Sequence, residues 1–112
     1  MLGVTALAAT ENTFCPDGNY TSATVPTSAH KLKVGDIKVV AGMGDSGTAA
    51  NGAESTQLFD IMTQYRGRSF SIGGASSYNY GLTTLPNILR LFNPHLRGYS
   101  TGVGDENSPQ PI

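Results

Sequence analysis

The sequence predicts an α/β fold built from strand-then-helix units, and three patterns carry that expectation. Residues 37–41 read Ile-Lys-Val-Val-Ala, a short and mostly apolar run bounded by Gly35-Asp36 and Gly42. That length and branched-chain content suit a strand covered on both faces, as in a parallel sheet. Leu58, Ile61, Met62 and Tyr65 recur at i, i+3, i+4 and i+7, and Leu85, Ile88, Leu89 and Phe92 repeat the spacing. Each set is one face of a helix. The resulting order, strand then helix twice over, is the opening of an alternating α/β domain.

Along the chain, residues 1–29 are rich in Thr, Ser, Ala and Pro and read as a leader followed by an extended lead-in. The first ten residues are apolar and small, with Ala6-Leu7-Ala8 resembling a signal-cleavage site, but the apolar run is short and has no basic start. Val25-Pro26-Thr27 excludes a helix there. The ordered domain is assigned to residues 30–112, starting near His30-Lys31-Leu32. After the strand at 37–41, a first helix is expected over 56–65, capped by Ser55 or Thr56 and ended by Gly67. Alternation of Ser69 and Ser71 with Phe70 and Ile72 predicts a short strand over 68–72. Gly73 to Gly81 reads as an irregular loop. A second helix fits 85–92, with Thr84 as cap, Pro86 in the first turn and Asn93-Pro94 as the stop. The expected core is the strand at 37–41 with Leu58, Ile61, Met62, Leu85, Ile88, Leu89 and Phe92.

Composition narrows the function classes. Charged residues are 13% of the 112 residues, against about 25% in an average soluble domain. The formal net charge is −1, so the chain lacks the basic surface that neutralises nucleic-acid phosphates. A single cysteine, Cys15, rules out a disulfide within these residues; it reads as a small buried or exposed thiol or, in a secreted chain, as half of a disulfide whose partner lies elsewhere. Asn19-Tyr20-Thr21 fits a glycosylation sequon. No stretch approaches the roughly 18 apolar residues of a spanning helix.

The chemistry is concentrated in Gly42-Met43-Gly44-Asp45-Ser46-Gly47. A strand entering this turn would deliver the Ser46 hydroxyl to the carboxyl edge of a sheet, where α/β enzymes keep their sites. A serine nucleophile also needs a base, a group to orient that base and oxyanion donors. A strand-to-loop turn capped by Asp45 and Ser46 accounts for the same residues without chemistry. They also form a literal G-x-G-x-x-G, with Asp60 further on, which would cradle a dinucleotide only if a helix began there. His30 and His95 have no carboxylate partner that the sequence reveals. Arg66 and Arg68 are candidates for phosphate contact, with an exposed structural role the simpler reading.

The turn resembles the Gly-Asp-Ser-Leu nucleophile block of the lipases and esterases known by that motif, and its flanks, residues 36–41 and 48–53, are similar to the phospholipase B branch. Further blocks occur in the same order. They are Phe14-Cys15-Pro16, the run 26–32, Tyr65-Arg66-Gly67 with Ser71-Ile72-Gly73-Gly74, residues 83–90, and Phe92-Asn93-Pro94, so the resemblance covers roughly residues 14–109. It implies a partial three-layer α/β/α domain of the SGNH hydrolase fold and hydrolysis of acyl esters of phospholipids and lysophospholipids without a metal or other cofactor. It also implies a secreted or membrane-associated setting, at a membrane surface reached through the substrate. Ser46 would be the nucleophile and one oxyanion donor, with Gly44, Asp45 and Gly47 shaping the turn. Gly47 stands where the family has Leu, a change expected to loosen the turn by losing a packed side chain. The family's oxyanion Gly and Asn and its triad Asp and His have no matching positions before Ile112. Activity is therefore expected to be absent or nearly so in this chain alone, and a non-catalytic role is the alternative.

Overall fold

One α-helix organises the chain. The computed structural model describes residues 18–108, so the leader, the Phe14-Cys15-Pro16 block and Pro109 lie outside the described residues. Helix α1 spans Leu85–Phe92, as its signals predict: the Thr84 hydroxyl caps the Asn87 amide at 3.3 Å and Pro86 sits in the first turn. Five short 3-10 turns, Ala29–Lys31, Val34–Asp36, Leu58–Met62, Arg66–Arg68 and Tyr78–Tyr80, make up the rest of the helical content among the described residues.

The expected strands are reduced to isolated bridges. Val39 pairs with Arg97 and Gly73 with Ser100, both in parallel. Segment 97–100 thus lies between 38–40 and 72–74, with α1 in the connection from 72–74 to 97–100. Residues 37–41 do not form the buried strand that their composition suggests. Val39 is 66% exposed and Ala41 is exposed. One competing bond and one bend explain the difference. The Asn93 side-chain amide takes the Ile37 carbonyl at 2.6 Å. Gly98, at φ +91°, bends the partner segment beside the Val40 carbonyl, where any Cβ would collide. Pairing stops after Arg97 N–H to Lys38 O and Val40 N–H to Arg97 O, each 2.9 Å.

The helix expected over 56–65 is also corrected. The structure has only the 3-10 turn Leu58–Met62, preceded by Gln57 with no side-chain cap, and Ser55 Oγ is buried without a hydrogen bond. Gln64 is the cause. It bridges antiparallel to both Asn51 and Gly104, and this extended backbone cannot belong to a helix. Leu58 (78% exposed), Phe59 (89%), Ile61 and Met62 consequently face solvent instead of a core. Over 68–72 the chain turns through Arg66–Arg68 and closes with Gly73 N–H to Ser69 O at 2.7 Å. Phe70 is therefore exposed while Ile72 is buried.

The core differs in kind from the expected one. Ile72, Leu89 and Leu96 are the buried hydrophobic side chains among the described residues, joined by Pro86 and by the polar Ser69, Thr84 and Asn87. On α1 the apolar spacing locates the helix and part of its buried face: Leu89 is buried and Ile88 and Phe92 are half-buried, but Leu85 is 44% exposed. Thr84, Asn87, Arg90 and Asn93 instead turn inward at every third position and donate to backbone carbonyls. Thr84 reaches Gly73, Asn87 reaches Leu82 at 2.9 Å and Arg90 reaches Ser76 at 2.9 Å. Arg90 also donates to Asn87 Oδ1 at 3.0 Å and covers the Tyr99 ring at 4.9 Å. At the other end, Tyr20 packs edge-on against Phe92, with centroids 4.9 Å apart.

Two expected outcomes follow. Asn87 is 1% exposed and bonds both Leu82 and Arg90. Asn87→Ala strands the Leu82 carbonyl and removes one of Arg90's acceptors, and is expected to cost about 1–3 kcal/mol in urea unfolding. Asp36 takes the Ser22 amide at 2.8 Å, the Lys33 amide at 2.9 Å and the Ser22 hydroxyl at 2.7 Å. These bonds hold its carboxyl below the ordinary range, the Ser22 amide contributing most. A depressed folded pKa gives stability that is fully present above the unfolded carboxylate pKa and is lost as pH falls through the folded one. Asp36→Asn is expected to flatten that acid limb of stability against pH, measured by urea unfolding between neutral and acid pH.

Candidate active site

Ser46 lies in a helical turn that ends before it becomes a helix. Asp45 Oδ1 accepts the Gly47 amide at 2.9 Å and the Thr48 amide at 3.4 Å. Ala49 N–H then bonds Asp45 O and Asn51 N–H bonds Ser46 O, both at 3.0 Å. Ala50, at φ +53°, terminates the turn in the left-handed region. This excludes the dinucleotide reading: no helix follows the glycine run, so no row of amides is aimed at a pyrophosphate. Asp60 sits in the exposed 3-10 turn instead of at a second strand end.

The turn forms one wall of an open groove of ≈ 610 Å³. Ala41, Gly42 and Gly44 lead into it, Asp45 and Ser46 stand on its rim, and Ile72, Gly98 and Ser100 form the side set by the parallel bridges. Asn51, Gln64 and Arg66 complete it. Gly42 is needed for the close approach, because a Cβ there would stand 2.8 Å from Ile72 Cβ. Ser46 is exposed, and no hydrogen bond engages its hydroxyl among the described residues.

The other candidate residues fall in different places. His30 lies exposed in the Ala29–Lys31 turn, and His95 lines a separate groove beside Lys38 and Arg97. Neither lines the Ser46 groove. Arg68 pairs with Glu54 at 2.9 Å at the exposed surface, the structural role expected for it. Arg66 is half-buried, lines the groove, and donates from Nε to Gln64 Oε1 at 2.7 Å. Gln64 and Asn51 were not among the sequence candidates. Their positions depend on pairing across the chain, and no local pattern announces them. At Gly47 an added Cβ would meet only Asp45 Oδ1, at 3.2 Å, and φ lies outside the left-handed region. Hydrogen bonds from Asp45, not burial at position 47, hold this turn. Among the described residues no group of His, Cys, Asp and Glu is placed to hold a metal ion, and no helix is long and apolar enough to cross a membrane.

Over most of its length the chain is similar to phospholipases. In particular, it is 55% identical over 97 residues to phospholipase B1, membrane-associated, of Homo sapiens, and 51% identical over 98 residues to the Rattus norvegicus protein of that name. The Mus musculus protein matches at 55% over 89 residues. These matches cover 85%, 86% and 78% of this chain, and the chain spans only 6–7% of the length of those relatives. No protein-family model matches the chain, and no solved structure does.

Ala50 gives a test of the turn. A non-glycine residue in the left-handed region costs roughly 1–2 kcal/mol. Ala50→Gly removes the Cβ that causes this cost and is expected to raise stability by about 1 kcal/mol, less glycine's entropic penalty. Thermal or urea unfolding of the two proteins measures it.

Proposed function

We propose that this protein is a serine hydrolase acting on acyl esters of phospholipids and lysophospholipids, with Ser46 as the nucleophile. The observation that carries the reading is the unengaged Ser46 hydroxyl on the rim of an open groove, in a Gly-Asp-Ser turn, within a 97-residue stretch 55% identical to a protein named phospholipase B1. In the reaction, Ser46 Oγ attacks the acyl carbonyl carbon while a base takes its proton. The lysolipid or glycerol alcohol departs with a proton, and water then cleaves the acyl-serine to release the fatty acid. The Ser46 amide is the proposed oxyanion donor contributed by this turn. The parallel bridges flanking α1 are compatible with the first units of an α/β/α hydrolase domain, which is the architecture we infer. The relatives' name also motivates a membrane-associated setting, reached through the lipid substrate.

One observation favours a second, non-catalytic reading, in which the groove binds lipid without turning it over. Neither described histidine lines the groove, so the described residues do not supply a histidine base to Ser46. Labelling by a fluorophosphonate separates the two readings. In a complete hydrolase domain that includes these residues, the hydrolase reading expects one adduct, located at Ser46 by mass spectrometry and lost in Ser46→Ala. It also expects fatty-acid release from lysophosphatidylcholine to fall by about three orders of magnitude or more in that variant. No adduct and no release from a protein that still binds the lipid would select the non-catalytic reading.

A further inference from the structure

We propose that Arg66 recognises the phosphodiester of the lipid in the Ser46 groove; the identification of the ligand as an acyl-ester lipid rests on the hydrolase reading above. Asp45 and Arg66 are the charged residues that line this groove. One carboxylate oxygen of Asp45 is already committed to the Gly47 and Thr48 amides. Arg66 is differently placed. Its Nε donates to Gln64 Oε1 at 2.7 Å, and among the described residues its two terminal amino groups have no protein partner.

Gln64 makes this arrangement firm. Its backbone N–H and C=O both pair with Gly104, at 2.8 and 3.0 Å. On its other side, Gly52 N–H bonds Thr63 O at 2.8 Å and Tyr65 N–H bonds Ala50 O at 3.2 Å, which closes the bridge to Asn51. The Gln64 side chain therefore anchors one edge of the guanidinium from a backbone fixed on both sides. The remaining edge carries parallel N–H donors whose spacing matches two oxygens of a phosphate. A lysine would bring the charge but not this fork. Arg68, only two residues on, is the internal contrast: the Glu54 carboxylate pairs with its charge, it is exposed, and it does not line the groove.

The groove thus combines a nucleophile-type serine with one pre-set cation, and the ligand this pairing fits carries both an acyl ester and a phosphate. A neutral ester would use Ser46 and leave Arg66 idle. Inorganic phosphate would use Arg66 alone.

The test measures binding to Ser46→Ala protein, so it does not depend on turnover. Dibutanoyl phosphatidylcholine, dibutanoylglycerol and inorganic phosphate are titrated by NMR into that protein and into the same protein carrying Arg66→Gln. The expected result is at least a tenfold loss of affinity for the phosphatidylcholine and no change for the diacylglycerol. Equal losses for both lipids would show a merely structural arginine, and no loss would show an idle one; either overturns the proposal. Inorganic phosphate that binds as tightly as the phosphatidylcholine, and is lost with Arg66, would make the free anion the ligand and overturn the lipid assignment. If Arg66→Gln melts early, Arg66→Lys decides. Lysine keeps the charge but not the fork, so a loss of affinity for the phosphatidylcholine alone supports the proposal, and no loss, or loss of both lipids together, overturns it. Hydrolysis that survives Ser46→Ala would refute the nucleophile assignment while leaving the Arg66 comparison intact.

Discussion

The fold hangs on a polar stripe of one short helix. Thr84, Asn87, Arg90 and Asn93 project from α1 and its two caps toward carbonyls at Gly73, Leu82, Ser76 and Ile37. These bonds reach segments far apart in sequence, and Asn93 to Ile37 spans 56 positions. Few apolar side chains are buried beside them, so hydrophobic transfer cannot be the main source of order among the described residues. Buried donors matched to buried carbonyls specify geometry more tightly than interchangeable aliphatic contacts do, because a misplaced partner is left unsatisfied at full cost.

The groove inherits its shape from that stripe. Thr84 fixes Gly73, and Gly74 N–H in turn bonds Ser100 O at 2.7 Å. Ser100 N–H returns to Ile72 O at 2.9 Å, so 72–74 and 97–100 lie side by side. Asn93 draws in residue 37 from the other side, and Val39 meets Arg97. The segments that carry Ile72, Gly98 and Ala41 into the groove are therefore located by one helix. Any change that tilts α1 moves three walls of the site together, which makes the buried Asn87 as relevant to the groove as the residues that line it.

The sequence was most legible where signals are local. Thr84, Pro86 and Asn93-Pro94 punctuate α1, and the helix sits within the limits they set. The Gly-Asp-Ser turn was equally readable, since Asp45 acts on amides two and three residues away. The segment at 58–65 misled because Gln64 pairs with Asn51 and Gly104, and two non-local bridges outweigh a helical repeat of moderate propensity. The run at 37–41 misled for a similar reason: a side-chain amide and the bend at Gly98 took the positions a ladder needed. Arg66 and Arg68 look alike in sequence, and only the tertiary positions of Gln64 and Glu54 distinguish them. The parallel sheet expected from composition survives as two bridges, and the architecture of a whole hydrolase domain is an inference beyond them.

A nucleophile must be held to within about 1 Å, since a displacement of that size costs roughly a hundredfold in rate. The resemblance to the Gly-Asp-Ser-Leu block sets leucine at position 47, and glycine there is expected to weaken the restraint. The observed restraint has another origin. Asp45 clamps two amides, three backbone bonds from Ala49, Ala50 and Asn51 close the turn, and Tyr65 N–H ties Ala50 to the bridge at Gln64. None of these bonds uses the side chain at 47. The same bridge anchors Gln64, which orients Arg66, so the serine and the arginine are positioned by one backbone junction. A change at that junction would therefore displace both residues together, and on the reading proposed above it would disturb the ester and the phosphate ends of the site at once.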